Sequence, residues 1–341
     1  MEKLLDRYLY TTTGMVHGEE AKVDESPSPE GLSGPQDFFH RPVLLQETVR
    51  HLAVRPGGVY IDCTVGEGGH ASTTLHAAMP GGRLLGIDMD PHSLERARHR
   101  LQQYQGHFTL VKGNYARVEE LAHTLGFPEV DGILLDLGLS SLQLGSPGRG
   151  FSLQRDEPLD MRFDPETTLT AADIVNSYSF EELTRVLSSY GEEARARSIA
   201  RAIAQRRPLR TTRELADLVS EISGGRRGRI HPATRTFQAL RIEVNSELDN
   251  LSAGLQQAIT ILRPGGMLVV ISYHSLEDRI VKETISREAK VCICPPRVPV
   301  CTCGHIPTLR VISKKVITPS PEEVRENPRS RSARMRVAEH L

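Results

Sequence analysis

No stretch of this 341-residue chain stays apolar for long. The longest continuous runs, such as Met267 to Ile271, fall far short of the roughly 20 residues that cross a bilayer, so a membrane-spanning helix is not expected. Cysteine is scarce. There are 5, one of them (Cys63) alone in a glycine-rich loop. That count excludes a disulfide framework and points to a reducing cytoplasm. Net charge is nearly absent too, at −1, and by itself says nothing about partners. A targeting signal is also missing. Up to residue 37 the bases Lys3, Arg7 and Lys22 are outnumbered by acids, and no apolar signal core is present. No internal repeat is visible.

What is present describes a soluble, globular chain. Hydrophobic residues make up 38% and charged residues 25%, enough for one large domain or two ordinary ones. The opening segment, with Ser26-Pro27-Ser28-Pro29, Gly31 and Gly34, reads as a disordered extension over residues 1–38. Beyond it, strands and helices alternate. Strands are expected at Val59–Asp62, Arg83–Ile87, Phe108–Val111, Asp131–Leu135 and Met267–Ile271, and two more at Leu309–Ile317 and Ala333–Glu339. Pro91 opens a helix over Ser93–Gln105. The Leu248, Leu251, Leu255, Ile259, Leu262 stripe marks another, with Ser246 and Asp249 suggesting a capping box at its start. Such alternation predicts a parallel α/β sheet. Arg-, Glu- and Ala-rich helical material between the fourth and fifth strands reads as a domain inserted into the sheet.

The first strand ends in Asp62 and enters Gly66-Glu67-Gly68-Gly69-His70-Ala71, a G-x-G-x-x-A turn, with Asp88 20 residues after Gly68. Alone, this is a dinucleotide fingerprint. A pyrophosphate, however, wants no carboxylate beside the helix N-terminus, and Asp62 and Glu67 flank it. Those charges suit a cationic ligand carrying an ammonium and a sulfonium group, and S-adenosylmethionine has both. Asp88 could accept from its ribose hydroxyls. Tyr115 could pack on its adenine. Asp136 ends the fourth strand, at the sheet edge where α/β folds bind ligands.

Six blocks carry a wider resemblance. They are Asp62–His70 (DCTVGEGGH), Gly132–Ser141 (GILLDLGLSS), Arg149–Ser152 with Pro158–Arg162 (RGFS, PLDMR), His231–Arg241 with Val244–Leu248 (HPATRTFQALR, VNSEL), Ser272–Lys282 (SYHSLEDRIVK) and Glu326–Arg331 (ENPRSR). From about residue 39 onward the chain resembles the RsmH (MraW) family of small-subunit ribosomal RNA cytosine-N4 methyltransferases. The resemblance implies a Rossmann-like class I methyltransferase sheet (an α/β fold), discontinuous over 39–141 and 242–341, with an all-helical RNA-recognition domain inserted at 142–241. It implies S-adenosyl-L-methionine held at Gly68, Gly69, His70, Asp88, Tyr115, Asp136 and Gln143. The implied substrate is a cytosine in the decoding region of 16S rRNA, conventional position 1402, within the small ribosomal subunit. A catalytically inactive ribosome-binding assembly factor of the same fold is the alternative, and a dinucleotide oxidoreductase a more distant one. The oligomeric state stays open, a homodimer included.

Two further features bear on chemistry. Residues 195–241 hold twelve arginines against Glu214, Asp217 and Glu221, nine units positive, the footprint of RNA phosphate binding. A target base would have to leave its stack to reach a pocket. Related amino-methyltransferases carry a proline-containing tetrapeptide after the fourth strand, where this chain has Asp136-Leu137-Gly138-Leu139. Asp136 and His274 are therefore the candidates for contacting the amine or taking its proton. Finally, Cys292-x-Cys294 and Cys301-x-Cys303 could form a tetrahedral zinc site, although structural sites more often use C-x₂₋₄-C. Reduced thiols or a disulfide are the other readings.

Overall fold

The computed structural model describes residues 42–224, 231–295 and 300–341. The expected N-terminal extension, and Arg226, Arg227 and Arg229, lie outside these.

Seven strands form one sheet: β1 (Val59–Asp62), β2 (Arg83–Asp88), β3 (Phe108–Lys112), β4 (Val130–Asp136), β5 (Leu262–Ser272), β6 (Leu309–Val311) and β7 (Arg334–His340). Their order is β3-β2-β1-β4-β5-β7-β6. The first five are parallel, and β7 runs antiparallel between β5 and β6. Successive side chains point to opposite faces and both faces are covered, so the central strands are buried along most of their length. Ile61, Leu85, Ile133, Leu268 and Val270 pack against α4 (Val118–Thr124), α11 (Glu247–Ile261) and α12 (Ser275–Glu288). On the opposite face, Tyr60 and Leu84 meet α2 (Gly69–Ala78) and α3 (Pro91–Arg100). Leu134, Val269 and Ile271 on that face pack with Leu44 and Leu52, which flank α1 (Leu45–His51). The α3 start follows sequence logic: Asp90 caps His92 N–H and Pro91 fills the first turn.

After β4 comes the short α5 (Ser141–Gly145). Then α6 (Ala171–Ser177), α7 (Phe180–Gly191), α8 (Ala196–Arg206), α9 (Thr212–Ser223) and α10 (Thr234–Asn245) enclose a second apolar cluster, reaching from Phe151 to Val244. Residues 146–170 form no helix. They are knotted by buried polar groups instead. Glu157 accepts from Gly150 N–H at 3.0 Å, and Arg149 donates to the carbonyls of Arg162 and Phe163. A Cβ on Gly150 would stand 2.4 Å from the Pro158 carbonyl.

Three expectations need correcting. Ser246 does not cap α11 through its side chain. It adopts a left-handed conformation (φ 49°) that ends α10 and begins α11 directly. The sixth strand stops at Val311 because the next two residues, Ile312 and Ser313, both donate to the one Val337 carbonyl and break the register, and Ile317 forms an isolated bridge with Met335. The helix from Pro91 ends at Arg100 and continues as a 3₁₀ turn over Gln102–Tyr104. Among the described residues, no helix is long and apolar enough to cross a membrane.

Candidate active site

A cleft of about 340 Å³ opens at the carboxyl ends of β1, β2, β3 and β4. The sheet supplies the glycine loop, Asp88, Tyr115 and Asp136, and the inserted segment adds Gln143, Leu144, Phe163 and Arg241. Seating a ligand at this edge follows from topology, since neighbouring strand ends diverge there.

Asp88 is the loop's anchor. Its two carboxylate oxygens accept from Gly66 N–H at 2.8 Å and Asp90 N–H at 2.9 Å. Burial still dominates and pushes its pKa up to about 6, against the lowering effect of those bonds. Asp62 is more extreme. It is buried, and Oδ2 has no hydrogen-bond partner among the described residues. Desolvation raises its pKa to about 7, with His70 opposing and Asp136 and Asp88 reinforcing. Three carboxylates thus crowd one sheet edge, and two of the nearby guanidiniums are engaged elsewhere. Arg96 pairs with Glu67 at 2.9 Å, and Arg241 holds Glu247 with two bonds of 2.7 and 2.9 Å. Glu67 therefore contributes less negative charge than the sequence suggests. The aspartates remain, and the orphaned Asp62 oxygen beside them fits a cationic ligand.

The two glycines act through close packing. Gly68 (φ 77°) begins α2 and abuts Ala97, whose Cα would lie 3.2 Å from an added Cβ; it does not line the cleft. Gly69 does line it, and leaves room for Pro42, 2.3 Å from the same hypothetical atom. Tyr115 lies in a 3₁₀ turn (Tyr115–Arg117), with its ring against Gly254 of α11. Burial raises its phenol pKa, helped by Glu247 and Glu277, so it stays neutral. Gln143 is the third residue of α5. Its Oε1 accepts from Ser140 N–H at 3.1 Å in a capping box that fixes the side chain.

Asp136 is held on three sides. Its N–H donates to Thr64 Oγ1 at 2.7 Å, and Tyr273 OH donates to Oδ1 at 2.8 Å. His70 Nε2 stands 3.3 Å from Oδ2. Burial, then Asp136 itself, lifts the Tyr273 pKa well above its usual value, so the phenol remains a donor. Gly138 (φ 100°) makes room for that ring; an added Cβ would sit 3.3 Å from Tyr273 Cδ2.

His274 is placed differently from Asp136. It caps α12 in a reciprocal box with Glu277, and its Nε2 lies 3.2 Å from Glu277 Oε1. The imidazole is not part of the cleft lining, whereas Tyr273 and Glu277 are. Burial works against the Glu277 carboxylate, yet His274, Arg241 and the Tyr273 N–H outweigh it and hold its pKa low. Sequence reasoning missed Tyr273, Thr64 and the Arg241–Glu247 pair. The first two carried a signal: each stands one or two residues past a strand end already singled out.

Comparison with known proteins agrees with this architecture. Residues 37–341 match the MraW methylase family. A ribosomal RNA small subunit methyltransferase H from Dehalococcoides mccartyi is 54% identical over 305 residues, covering 89% of this chain and 87% of that protein. Its namesake from Thermomicrobium roseum is 53% identical over 313 residues, covering 91% and 96%. With a match of this length and identity at that sheet edge, the chain belongs to the MraW methylase family.

Proposed function

We propose that this protein methylates the exocyclic N4 of a cytosine in the decoding region of 16S rRNA, the base at conventional position 1402. The observation that carries the reading is Asp136, its carboxylate held by Tyr273 and its N–H by Thr64, in a cleft that Asp88 also lines. S-adenosylmethionine, the methyl donor, supplies an electrophilic methyl group on a sulfonium centre. In this reading Asp88 accepts from its ribose, Tyr115 offers a ring face to its adenine, and Gly69, His70 and Gln143 line its bed. Asp62 and its neighbours supply the negative field that favours a cation.

Cytosine N4 is a weak nucleophile because its lone pair is delocalised into the ring. Asp136 answers this by accepting an N–H from the amine, which aims the lone pair toward the methyl. As positive charge develops on nitrogen, the same carboxylate is the nearest base for the leaving proton. Tyr273 keeps Oδ1 engaged, so in this reading Oδ2, with His70 Nε2 3.3 Å away, is the oxygen that meets the amine. His274 acts at one remove, by fixing the start of α12 and so Tyr273.

RNA would be positioned by the insert. Exposed Arg195, Arg197, Arg201, Arg206, Arg210, Arg213 and Arg235 lie there. Several also have internal partners, among them Arg206 with Glu221 and Arg213 with Asp156. Phosphate contacts of this kind set register and leave base choice to the pocket. On this reading the enzyme acts in the cytoplasm.

The test is methyl transfer to small subunits lacking the modification, followed by nucleoside mass spectrometry. One N4-methylcytidine per subunit is expected, mapped to that position. Methyl incorporation at another nucleoside overturns the specificity. Subunit binding without any incorporation favours the inactive assembly factor.

A further inference from the structure

Outside the cleft, one cluster of side chains has no role in the reading above. After α12 the chain makes a long connection to β6, and four of the protein's five cysteines fall within it. All four are free thiols, and their sulfurs lie within 4.8 Å of one another. The distances are 3.5 Å for Cys301–Cys303, 3.9 Å for Cys303–Cys292 and 4.0 Å for Cys294–Cys301. Zinc–thiolate bonds of about 2.3 Å in a tetrahedron put the sulfurs about 3.8 Å apart. The observed spacings bracket that edge.

We propose that Cys292, Cys294, Cys301 and Cys303 form a structural zinc site. Binding replaces four S–H bonds with four Zn–S bonds and releases four protons, leaving a dianionic tetrathiolate. A backbone amide already faces one of the sulfurs: Thr302 N–H donates to Cys294 Sγ at 3.4 Å. Two C-x-C pairs are tight for one chelating turn, but here each pair closes the other's open side.

The surroundings explain why such a clamp is needed. Val291, Val300 and Ile306 are 78%, 70% and 77% exposed, so the connection buries little apolar surface of its own. Its base is tied by Thr308, which donates from N–H and Oγ1 to Glu288. These bonds, the Leu341 N–H to Thr308 carbonyl bond, buried Leu309 and the pairing with β7 hold the start of β6, at the opposite end of the connection from the cysteines. A four-thiolate metal supplies the missing constraint at the far end, as in other segments too small for a core.

The experiment uses the full chain, untagged and purified under reducing conditions, with metal content read by mass spectrometry. About one zinc per chain is expected, with four cysteines protected from alkylation until chelation. Cobalt added to demetallated protein should give the visible absorption of tetrahedral Co(II)–thiolate, a readout that needs no variant. Cys294→Ser combined with Cys301→Ser should lower zinc to below about a tenth per chain. Zinc below that level in the unaltered protein, iron in its place, unchanged zinc in the double variant, or paired disulfides in protein kept anaerobic would each overturn the proposal.

Discussion

Two adjacent side chains at the end of β5 do different work because the strand alternates. Tyr273 turns toward β4 and donates to Asp136, and His274 turns away to cap α12. Substitution should separate them. Tyr273→Phe removes one hydrogen bond to a carboxylate without opening space. Single-turnover methyl transfer should fall by about ten- to a hundredfold, with the melting temperature little changed. His274→Ala removes a helix cap and should lower stability by about 1 kcal/mol in chemical denaturation, with a smaller effect on the chemical step. Asp62 makes a pH prediction. Its folded pKa of about 7 lies above the ordinary 3.8. Over that interval the folded state holds a proton that the unfolded chain has released. Stability of the ligand-free protein should therefore decline as pH rises from about 4 to about 7. Asp62→Asn should flatten that slope in pH-dependent denaturation curves and weaken binding of the cationic cofactor. An unchanged slope would mean that Asp62 is ionised throughout.

At the scale of elements, Gly254 shows how α11 shapes the cleft. A Cβ there would fall 2.6 Å from the Tyr115 ring, so the helix can approach only without a side chain. Gly254→Ala should cost about 1–3 kcal/mol of stability and displace Tyr115, seen as weaker cofactor affinity in calorimetry. Much of the element order was legible. Strand ends at Asp62, Asp88 and Asp136 follow from apolar β-branched runs stopped by a carboxylate, a local pattern. Contacts between distant segments were less so. Nothing near Glu67 announces that Arg96, on another helix, will neutralise it. Ser246 carries a fair capping signal, yet α10 and α11 abut with no loop, and the junction needs one left-handed residue more than a cap. The knot at 146–170 was invisible because buried polar bonds, and not apolar periodicity, hold it together. The block RGFS with PLDMR therefore resembles a motif in sequence and acts as a clasp in space.

On the scale of the whole molecule, the inserted segment is tied to the rest of the fold from two sides. Arg149 pairs with fully buried Asp90 at 3.0 Å, and Lys112 with Asp164 and Glu166 at 3.0 and 2.7 Å. Across the way, Ser275 and Arg279 both donate to Glu192. Arg149→Ala would strand a buried charge, and a loss of about 3–5 kcal/mol is expected in denaturant titration. The arginine excess of the insert is partly internal: Arg197 and Arg201 lie over Phe180, and Arg207 donates to the carbonyls of Val175 and Tyr178. Charge counting thus overstates how many guanidiniums reach a phosphate. Replacing Arg197 and Arg201 together by Ala should weaken binding to small subunits and reduce its salt slope by about one to two, leaving cofactor affinity unaltered. A slope that does not move would assign those two side chains to packing on Phe180.

Strand β7 has a consequence for how the molecule is made. It lies between β5 and β6 in the sheet, and its pairs run from Met267↔Glu339 to Ser272↔Arg334. Yet it is translated after both neighbours. Until β7 is in place, β5 has its β4 neighbour for one edge and nothing for the other. That bare edge runs along the apolar stretch Met267–Ile271, the kind of open ladder that recruits foreign strands. A ribosome that pauses over this interval holds a nascent chain with an unclosed sheet, and slow codons there should raise the fraction of chains lost to aggregation or held by chaperones.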